Sequence, residues 1–348
     1  MSIKITDANS SYTGKIPKGC KLCIKGKKSV LFVTGICHVN CYYCPVSNEK
    51  KDKDISYINE RKIEKKEDIL EEIKACGSKW ISFTGGDPLL KINKCLDYAK
   101  MIKDEYSEHH IHLYTGSTDK KVKELGKLEG YVDEVRFHVK NEEEVYGLKS
   151  ILNMDFNFGI EIPAIPGDFE RMCSIIESAS SAGFSFINLN EFEYTETNWD
   201  NLYERGFDFD SDTSMVKGSK DLSLKLLEKY EDLPISIHFC PSVLKDAIQL
   251  RRRWERRAKN TKKYYEEIED CLIVKGELSG EVKEIVNYLN DVLNISKKMY
   301  EVHGDKVFTH WAVAEEISEN KEVSKKIKSA IVKEYPIYKR LVSEYIPL

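Results

Sequence analysis

Three cysteines in one short segment are the residues of this chain best suited to chemistry. Cys37, Cys41 and Cys44 have the spacing C-x3-C-x2-C and follow the apolar run at residues 30–33. Iron–sulfur clusters are held by thiolates at such short spacings. Three thiolates would hold three corners of a cubane 4Fe-4S cluster and leave its fourth iron without a protein ligand. A zinc knuckle or a set of buried thiols is the alternative for these cysteines taken alone.

A second motif narrows the chemistry. Gly85, Gly86, Asp87 and Pro88 follow the apolar run at residues 80–84. Glycines leave the backbone bare, so its carbonyls can approach the ammonium group of a ligand closely. An iron that lacks a protein ligand can chelate the amino and carboxylate groups of S-adenosylmethionine (SAM) and pass one electron into its sulfonium. The two motifs together therefore favour radical chemistry over a zinc knuckle.

The same two motifs resemble those of the radical SAM superfamily. In that superfamily an aromatic residue precedes the third cysteine and lies by the adenine, and the second strand ends in a Gly-Gly-Glu-Pro-like turn. The resemblance implies that Tyr43 and residues 85–88 bind SAM, with Asp87 where the superfamily has glutamate. It also implies that a 5′-deoxyadenosyl radical abstracts hydrogen from a substrate.

Further segments resemble a mostly archaeal family of radical SAM proteins related to pyruvate formate-lyase activating enzymes. They are residues 19–26, 30–37, 57–61, 110–115 and 188–191. The resemblance implies a one-electron donor such as ferredoxin or flavodoxin, but it brings no substrate, which could be a tRNA, a protein, a lipid or a small metabolite. Two alternatives stay open: a glycyl-radical enzyme activase, and a non-catalytic iron–sulfur or zinc module.

A second metal site is predicted from four other cysteines. Cys20 and Cys23 form a C-x2-C pair, which commonly supplies two metal ligands, although free or redox-paired thiols are the alternative. Cys240 ends a seventh apolar run, and Cys271 follows a helix of about 25 residues at ~1.5 Å each, long enough to return across a barrel. We predict that Cys271 joins Cys20 and Cys23, with an iron–sulfur cluster favoured over zinc. Cys240 is the weaker candidate, because it requires residues 15–28 to fold back over the barrel top.

The elements that position these residues alternate between strands and helices. Apolar runs at 29–35, 80–84, 110–115, 132–139, 157–165 and 184–192 are separated by amphipathic segments. Six such units predict parallel strands joined by right-handed crossovers, with functional groups at the C-terminal strand ends. We therefore predict an α/β protein whose residues 27–245 form a partial (β/α)6 barrel. A cysteine-bearing extension (1–26) precedes it, and a small, mainly helical appendage (246–348) follows, with a strand at 271–278 and helices near 279–298 and 320–345.

Polar residues on the predicted strands extend the candidate site. Thr115 ends the third strand, where its hydroxyl could reach a ribose. Arg136 shares a face with His138, and a buried arginine needs a partner, so we predict that it binds an anion such as the SAM carboxylate unless it faces outward. Asn188 and Asn190 likewise share one face of the sixth strand.

Composition limits the classes of partner. The chain has 348 residues, with 54 basic and 58 acidic side chains, so it is no polycation. It has no apolar segment typical of a secretion signal or a membrane span, and its ten cysteines favour metal thiolates in a reducing compartment, so we expect a cytoplasmic protein. One helix carries basic residues at helical spacing, which indicate either a solvated face or a surface for an anionic substrate: Arg252, Arg256, Lys259 and Lys263, with Arg253 and Arg257 beside them.

Overall fold

The computed structural model describes residues 3–210 and 213–348, which divide into two compact units. The first comprises the described residues up to 74 and from 78 to 250. The second comprises residues 75–77 and 251–348. The segment predicted as a separate N-terminal extension thus belongs to the first unit, where its short strands join the sheet.

The first unit is built on one mixed sheet. Its strands are β1 (Lys4–Ile5), β2 (Ser11–Tyr12), β3 (Lys28–Thr34), β4 (Tyr57–Ile58), β5 (Arg61–Lys62), β6 (Trp80–Gly85), β7 (His110–Thr115), β8 (Glu134–Phe137), β9 (Asn157–Ala164), β10 (Phe186–Glu191) and β11 (Ser236–Cys240). Strands β3, β6, β7, β8, β9, β10 and β11 are parallel neighbours in that order. The seventh apolar run of the sequence is therefore a full member of the parallel sheet.

Helices lie between these strands, and all but the first belong to crossovers of the parallel sheet. They are α1 (Lys18–Ile24), α2 (Glu67–Cys76), α3 (Ile92–Glu105), α4 (Glu142–Gly147), α5 (Phe169–Ala182), α6 (Trp199–Glu204) and α7 (Ser219–Lys229), with 3-10 turns at Pro88–Lys91, Lys120–Leu128 and Leu148–Ile151 and a π-helical segment at Leu244–Leu250. One face of the sheet packs on the helices through buried aliphatic residues such as Ile81, Ile111, Ile160 and Ile187. Parallel strands are usually apolar on both faces. Here the residues that alternate with these aliphatic ones are polar, so the opposite face of the sheet is the candidate functional face.

The second unit is a sheet of antiparallel strands with short helices. Its elements are α8 (Arg251–Thr261), β12 (Glu267–Glu269), β13 (Leu272–Ser279), α9 (Val282–Asn287), β14 (Tyr300–His303), β15 (Lys306–Thr309), α10 (Trp311–Glu319), β16 (Lys328–Glu334) and β17 (Val342–Pro347), with a π-helical segment at Tyr288–Val292 and a 3-10 turn at Lys297–Met299. The strand order is β14-β15-β13-β16-β17, and β12 pairs with β13.

The prediction of a mainly helical C-terminal appendage is wrong at residues 320–345. Strand β16 pairs with β13 over seven residues, from Ile273 opposite Glu334 to Ser279 opposite Lys328. Lysines and glutamates in this segment favour a helix locally, whereas Ile331 and Val332 favour a strand. The distant partner β13 decides between them, and this partner could not be recognised from local spacing.

The predicted basic face of helix α8 is largely accessible, since Arg252 and Lys259 are exposed and Arg256 is half-buried. Arg253 and Arg257 are buried, and Arg257 Nη1 donates a hydrogen bond to the carbonyl of Pro336, 3.1 Å away. Lys263 pairs with Glu301. The predicted surface for an anionic substrate therefore excludes the buried Arg253 and Arg257 and the paired Lys263. In the described parts of the chain, every helix is too short or too polar to cross a membrane.

Candidate active site

The loop after β3 carries the three cysteines predicted to hold a cluster. Cys37 is exposed, and Cys41 and Cys44 are half-buried. All three cysteines line one cavity together with Tyr43, so their thiolates could hold a metal group between them.

A histidine on the neighbouring sheet face holds the cysteine loop. His138 Nδ1 lies 3.3 Å from the carbonyl oxygen of Glu161, to which it must donate, so Nε2 is an acceptor. Tyr43 donates its hydroxyl to this Nε2 at 2.7 Å, and the Cys41 sulfur lies 3.8 Å from it. Burial raises the pKa of the Cys41 thiol, so a metal would have to displace its proton. Tyr43, the predicted adenine neighbour, is thus held by His138, which directly follows β8.

Two residues from the segment after β10 complete this support. Asn198 Nδ2 donates to the carbonyl of Tyr43 at 3.2 Å, and Thr197 Oγ1 donates to the carbonyl of Cys44 at 3.1 Å. Sequence reasoning assigned no role to either residue, because their distance along the chain from the loop hides the contact. They hold the last turn of the cysteine loop at its backbone.

The Gly85-Gly86 turn lies against the start of the cysteine loop. Gly86 N donates to the Thr34 carbonyl at 2.7 Å, and Asp87 N donates to the Ile36 carbonyl at 2.8 Å. A Cβ atom on Gly85 would lie 2.2 Å from the Thr34 oxygen, and one on Gly86 would lie 2.3 Å from the Ile36 oxygen. Glycine is therefore required at both positions, because side chains would separate the turn from the loop.

Asp87 is a buried anchor for this turn. Its carboxylate accepts hydrogen bonds from the hydroxyls of Thr115 and Ser117, both at 2.7 Å, and from Leu89 N at 3.1 Å. It caps the 3-10 turn that begins at Pro88. Thr115 Oγ1 also accepts from Ser117 N at 3.0 Å. The Thr115 hydroxyl thus helps to hold Asp87, and its contact with a ribose stays a prediction.

The Asp87→Ala variant should lose about 3 kcal/mol of unfolding free energy, because three donors, two of them buried hydroxyls, lose their acceptor. Urea unfolding monitored by circular dichroism measures this loss. Asp54→Ala is the matched control, since that carboxylate pairs with Lys91 and Lys94 on the exposed side of the loop, and exposed pairs contribute little. Equal unfolding midpoints for the two variants would contradict the anchoring role.

Two cavities meet at the Gly85-Gly86 turn. The loop cavity, of about 480 Å³, is lined by the three cysteines of the loop and by Tyr43. The inner cavity, of about 490 Å³, is lined by residues from all seven parallel strands: Val30, Ser82, His112, Arg136, Glu161, Asn188 and His238. Residues common to both cavities are Pro45, Thr84, Gly85, Gly86, Gly116 and His138. A molecule seated on the turn therefore touches both spaces.

Arg136 lies in the inner cavity, but its partners are carboxylates of the protein. Arg136 Nε donates to Glu134 at 2.6 Å and Nη1 donates to Glu161 at 2.5 Å. Burial opposes the guanidinium charge, but these carboxylates raise the pKa of Arg136 above its usual value. The predicted anion is thus supplied by β8 and β9, and the SAM carboxylate is not needed to explain this buried charge.

A chain of amides continues from Glu161 across the wall of the inner cavity. Glu161 Oε1 accepts from Asn190 Nδ2 at 3.0 Å, and Asn190 Oδ1 accepts from Asn188 Nδ2 at 3.1 Å. Asn188 Oδ1 then lies 2.5 Å from His238 Nδ1. Glu161, Asn188 and His238 are opposite one another in the register of β9, β10 and β11, which explains why their side chains meet.

Helix α1 brings Cys20 and Cys23 to the inner cavity, and Cys240 lines the same cavity from the end of β11. Gly19 makes this placement possible, since a Cβ there would lie 2.4 Å from Arg136 Nη2. Cys240, the weaker candidate, is therefore the thiol that the first unit brings to this pair. Cys271, predicted as the third ligand, belongs to the second unit, with Arg251, Glu255 and Asp270 as its charged neighbours.

His110, His112 and Glu134 form a buried group whose ligand atoms lie within 4.8 Å of one another. However, Trp80 Nε1 donates a hydrogen bond to His112 Nδ1 at 2.7 Å. The proton of the neutral His112 ring is therefore on Nε2, which makes that atom a donor. His112 therefore offers no free ligand atom to a metal, and the group is not a three-ligand metal site.

Comparison with known families and proteins gives matches over the whole chain. Residues 24–146 match the family described as "4Fe-4S single cluster domain", and residues 271–348 match a domain of unknown function (DUF8061). A protein of Methanocaldococcus jannaschii, called "putative glycyl-radical enzyme activating enzyme", is 37% identical over 351 residues. The alignment covers 96% of this chain and 93% of that protein.

Matches to solved structures are weaker. Streptococcus suis SuiB aligns with a TM-score of 0.42 and 11% identity, over 61% of this chain and 48% of its own. Methylornithine synthase (PylB) aligns with a TM-score of 0.43 and 12% identity, over 64% of this chain and 71% of its own. Escherichia coli coproporphyrinogen III oxidase (HemN), described as a radical SAM enzyme, aligns with a TM-score of 0.36 and 10% identity, over 97% and 76%. The chain thus spans about half the length of SuiB.

Proposed function

The chain belongs to the family of the Methanocaldococcus jannaschii protein and is a radical SAM enzyme, and from this premise we propose that it removes a hydrogen atom from a polar substrate bound in the inner cavity. The observation that carries the proposal is the meeting of the two cavities along Gly85 and Gly86. SAM seated on this turn touches the cysteine loop on one side and the inner cavity on the other. The cleaved bond and the substrate then share one continuous space.

The residues of the loop cavity divide the binding of cluster and SAM. Cys37, Cys41 and Cys44 hold the 4Fe-4S cluster, which when bound supplies one electron to SAM and so releases methionine and a 5′-deoxyadenosyl radical. Gly85 and Gly86 seat the methionine end of SAM, where their lack of side chains gives the backbone close access. Tyr43 lies by the adenine, with its ring fixed by the hydrogen bond to His138.

The inner cavity suits a polar substrate. Its wall offers the carboxylate of Glu161, the amides of Asn188 and Asn190, and the ammonium of Lys245. A volume of about 490 Å³ falls in the range of small-molecule sites, and it also admits a short peptide loop. All seven parallel strands line this cavity. Their shared lining supports a sheet that curves around the substrate as a partial barrel.

An electron donor completes the reaction. Cys37 is exposed, so a one-electron carrier such as ferredoxin or flavodoxin can approach the cluster from solvent. The neighbouring Lys51 and Lys53 are exposed as well, and they would attract an acidic carrier.

The decisive experiment is SAM cleavage by the full chain after anaerobic reconstitution with iron and sulfide. We expect 5′-deoxyadenosine and methionine in equal amounts, formed only when a one-electron reductant is present, and quantified by liquid chromatography with mass spectrometry. Protein that carries iron and sulfide but leaves SAM intact under these conditions would contradict the proposal.

A second candidate function is the activation of a glycyl-radical enzyme, which the name of the Methanocaldococcus jannaschii relative favours. In that case the substrate is a backbone Cα–H of glycine on a partner protein. Incubating the reconstituted enzyme, SAM and reductant with a protein extract of its source should then give the electron paramagnetic resonance doublet of a glycyl radical. A small substrate would instead leave 5′-deoxyadenosine formation stimulated by the metabolite fraction.

A further inference from the structure

Three thiols and one imidazole line the same wall of the inner cavity. Cys20 and Cys23 are three positions apart on α1, so they lie on one face of that helix. His238 and Cys240 are two positions apart on β11, so they lie on one face of that strand. All four line the inner cavity, and all belong to the first unit.

Hydrogen bonds fix which nitrogen of His238 carries the proton. The carboxylate of Glu161 can only accept, so Asn190 must turn its amide nitrogen to it. Asn190 Oδ1 then accepts from Asn188 Nδ2, which turns Asn188 Oδ1 toward His238. His238 Nδ1 must therefore donate to Asn188, and Nε2 is left with a free lone pair.

The surroundings of this Nε2 atom are unusual for a buried acceptor. His238 is 1% exposed, and Nε2 is buried without a hydrogen bond. Buried polar atoms without partners are rare and need an explanation. A metal is a fitting one, since ligating histidines usually donate their other ring N–H to an oxygen that orients the ring. Asn188 supplies that oxygen, and the same oxygen lies 3.8 Å from the sulfur of Cys20.

We propose that Cys20, Cys23, Cys240 and His238 Nε2 bind a second iron–sulfur cluster in the wall of the inner cavity. Three of the four ligands are thiols, and iron–sulfur clusters are held by cysteine thiolates, with histidine in place of some cysteines in certain clusters. Metal analysis separates a cluster from a zinc ion held by the same ligands. The site is independent of SAM binding, so the inference does not rest on the proposed function.

Arg136 tunes this second cluster. Its Nη2 lies 3.7 Å from the Cys20 sulfur and donates to it. Hydrogen bonds to the sulfurs and nearby charge set the reduction potential of an iron–sulfur cluster. Because Cys20 and Cys240 are 6% and 8% exposed, the cluster is shielded from solvent and faces the cavity in which the substrate binds.

The test uses the full chain with Cys37, Cys41 and Cys44 replaced by alanine, reconstituted with iron and sulfide. We expect about two to four irons per chain, with matching sulfide, to remain in this background. Adding Cys20→Ser or Cys240→Ser should reduce the iron to near zero, whereas Cys271→Ser, the matched control, should leave it unchanged. Iron that is absent from the alanine background, replaced by zinc, or unaffected by Cys20→Ser would overturn the cluster.

A second measurement tests His238 first by isotope labelling and then by substitution. In the same alanine background labelled with 15N-histidine, pulsed electron paramagnetic resonance of the reduced cluster should show a directly bound nitrogen. His238→Cys should keep the iron, lose this nitrogen coupling and lower the reduction potential. A reduced cluster without nitrogen coupling in the parent background would overturn the assignment of His238. Neither experiment involves SAM, so loss of SAM cleavage and loss of this cluster are distinguished.

Discussion

Replacing Cys37, Cys41 and Cys44 by alanine in one variant is expected to lower the rate of 5′-deoxyadenosine formation by at least about a thousandfold, because residues that act as one unit in catalysis are lost together. The three thiols line the loop cavity, and under the proposed function no electron would reach SAM without the cluster that they would hold. The rate is measured in the reconstituted protein with SAM and a chemical reductant.

The control for this variant is Cys173→Ala. Cys173 is buried on α5, where its sulfur lies 3.2 Å from Lys229 Nζ, and it lines neither cavity. We expect this variant to cleave SAM at the parental rate, although some stability is lost with the core contact. Parental 5′-deoxyadenosine formation by the alanine variant would refute the role of the loop cysteines.

The motifs that sequence reasoning placed best are those in which chemistry is local. The loop thiols of Cys37, Cys41 and Cys44 lie within eight consecutive residues, and Gly85 to Pro88 are contiguous. Their spacing alone therefore indicates a cluster and a bare turn. The spacing does not show which residues support the turn. The hydroxyl of Thr115 donates to Asp87 because β6 and β7 are parallel neighbours.

The second set of cysteines stays a prediction, because local spacing does not decide which thiol joins Cys20 and Cys23. Choosing between Cys240 and Cys271 required the position of α1, which depends on the contact of Gly19 with Trp80 and Arg136. That contact is non-local and leaves no periodic signal. By contrast, the partner of Arg136 was accessible in principle, because Glu134 is two residues earlier and so lies on the same face of the strand.

Gly86→Ala is expected to lower the rate of SAM cleavage by about a hundredfold, since misplacing a reacting group by ~1 Å can have that effect. The new Cβ would lie 2.3 Å from the Ile36 oxygen and 2.8 Å from the Gly35 carbonyl carbon. These are backbone atoms of the cysteine loop, so they cannot rotate away as a side chain could. The turn and the loop must separate, and under the proposed function SAM would lie against both of them. Equilibrium binding of SAM to the reconstituted variant, measured together with the cleavage rate, tests this expectation.

Gly167→Ala separates this effect from a general loss of stability. Gly167 has φ +92° and no neighbour within 4 Å of a built Cβ, so alanine there strains the backbone without a collision. It should lose about 1 kcal/mol of unfolding free energy and keep parental SAM binding and cleavage. Gly86→Ala should bind SAM at least about tenfold more weakly even at temperatures where both variants are fully folded. If both variants bind SAM equally well, the Gly85-Gly86 turn is not the seat of SAM, and the substrate cavity must be reached from another side of the loop.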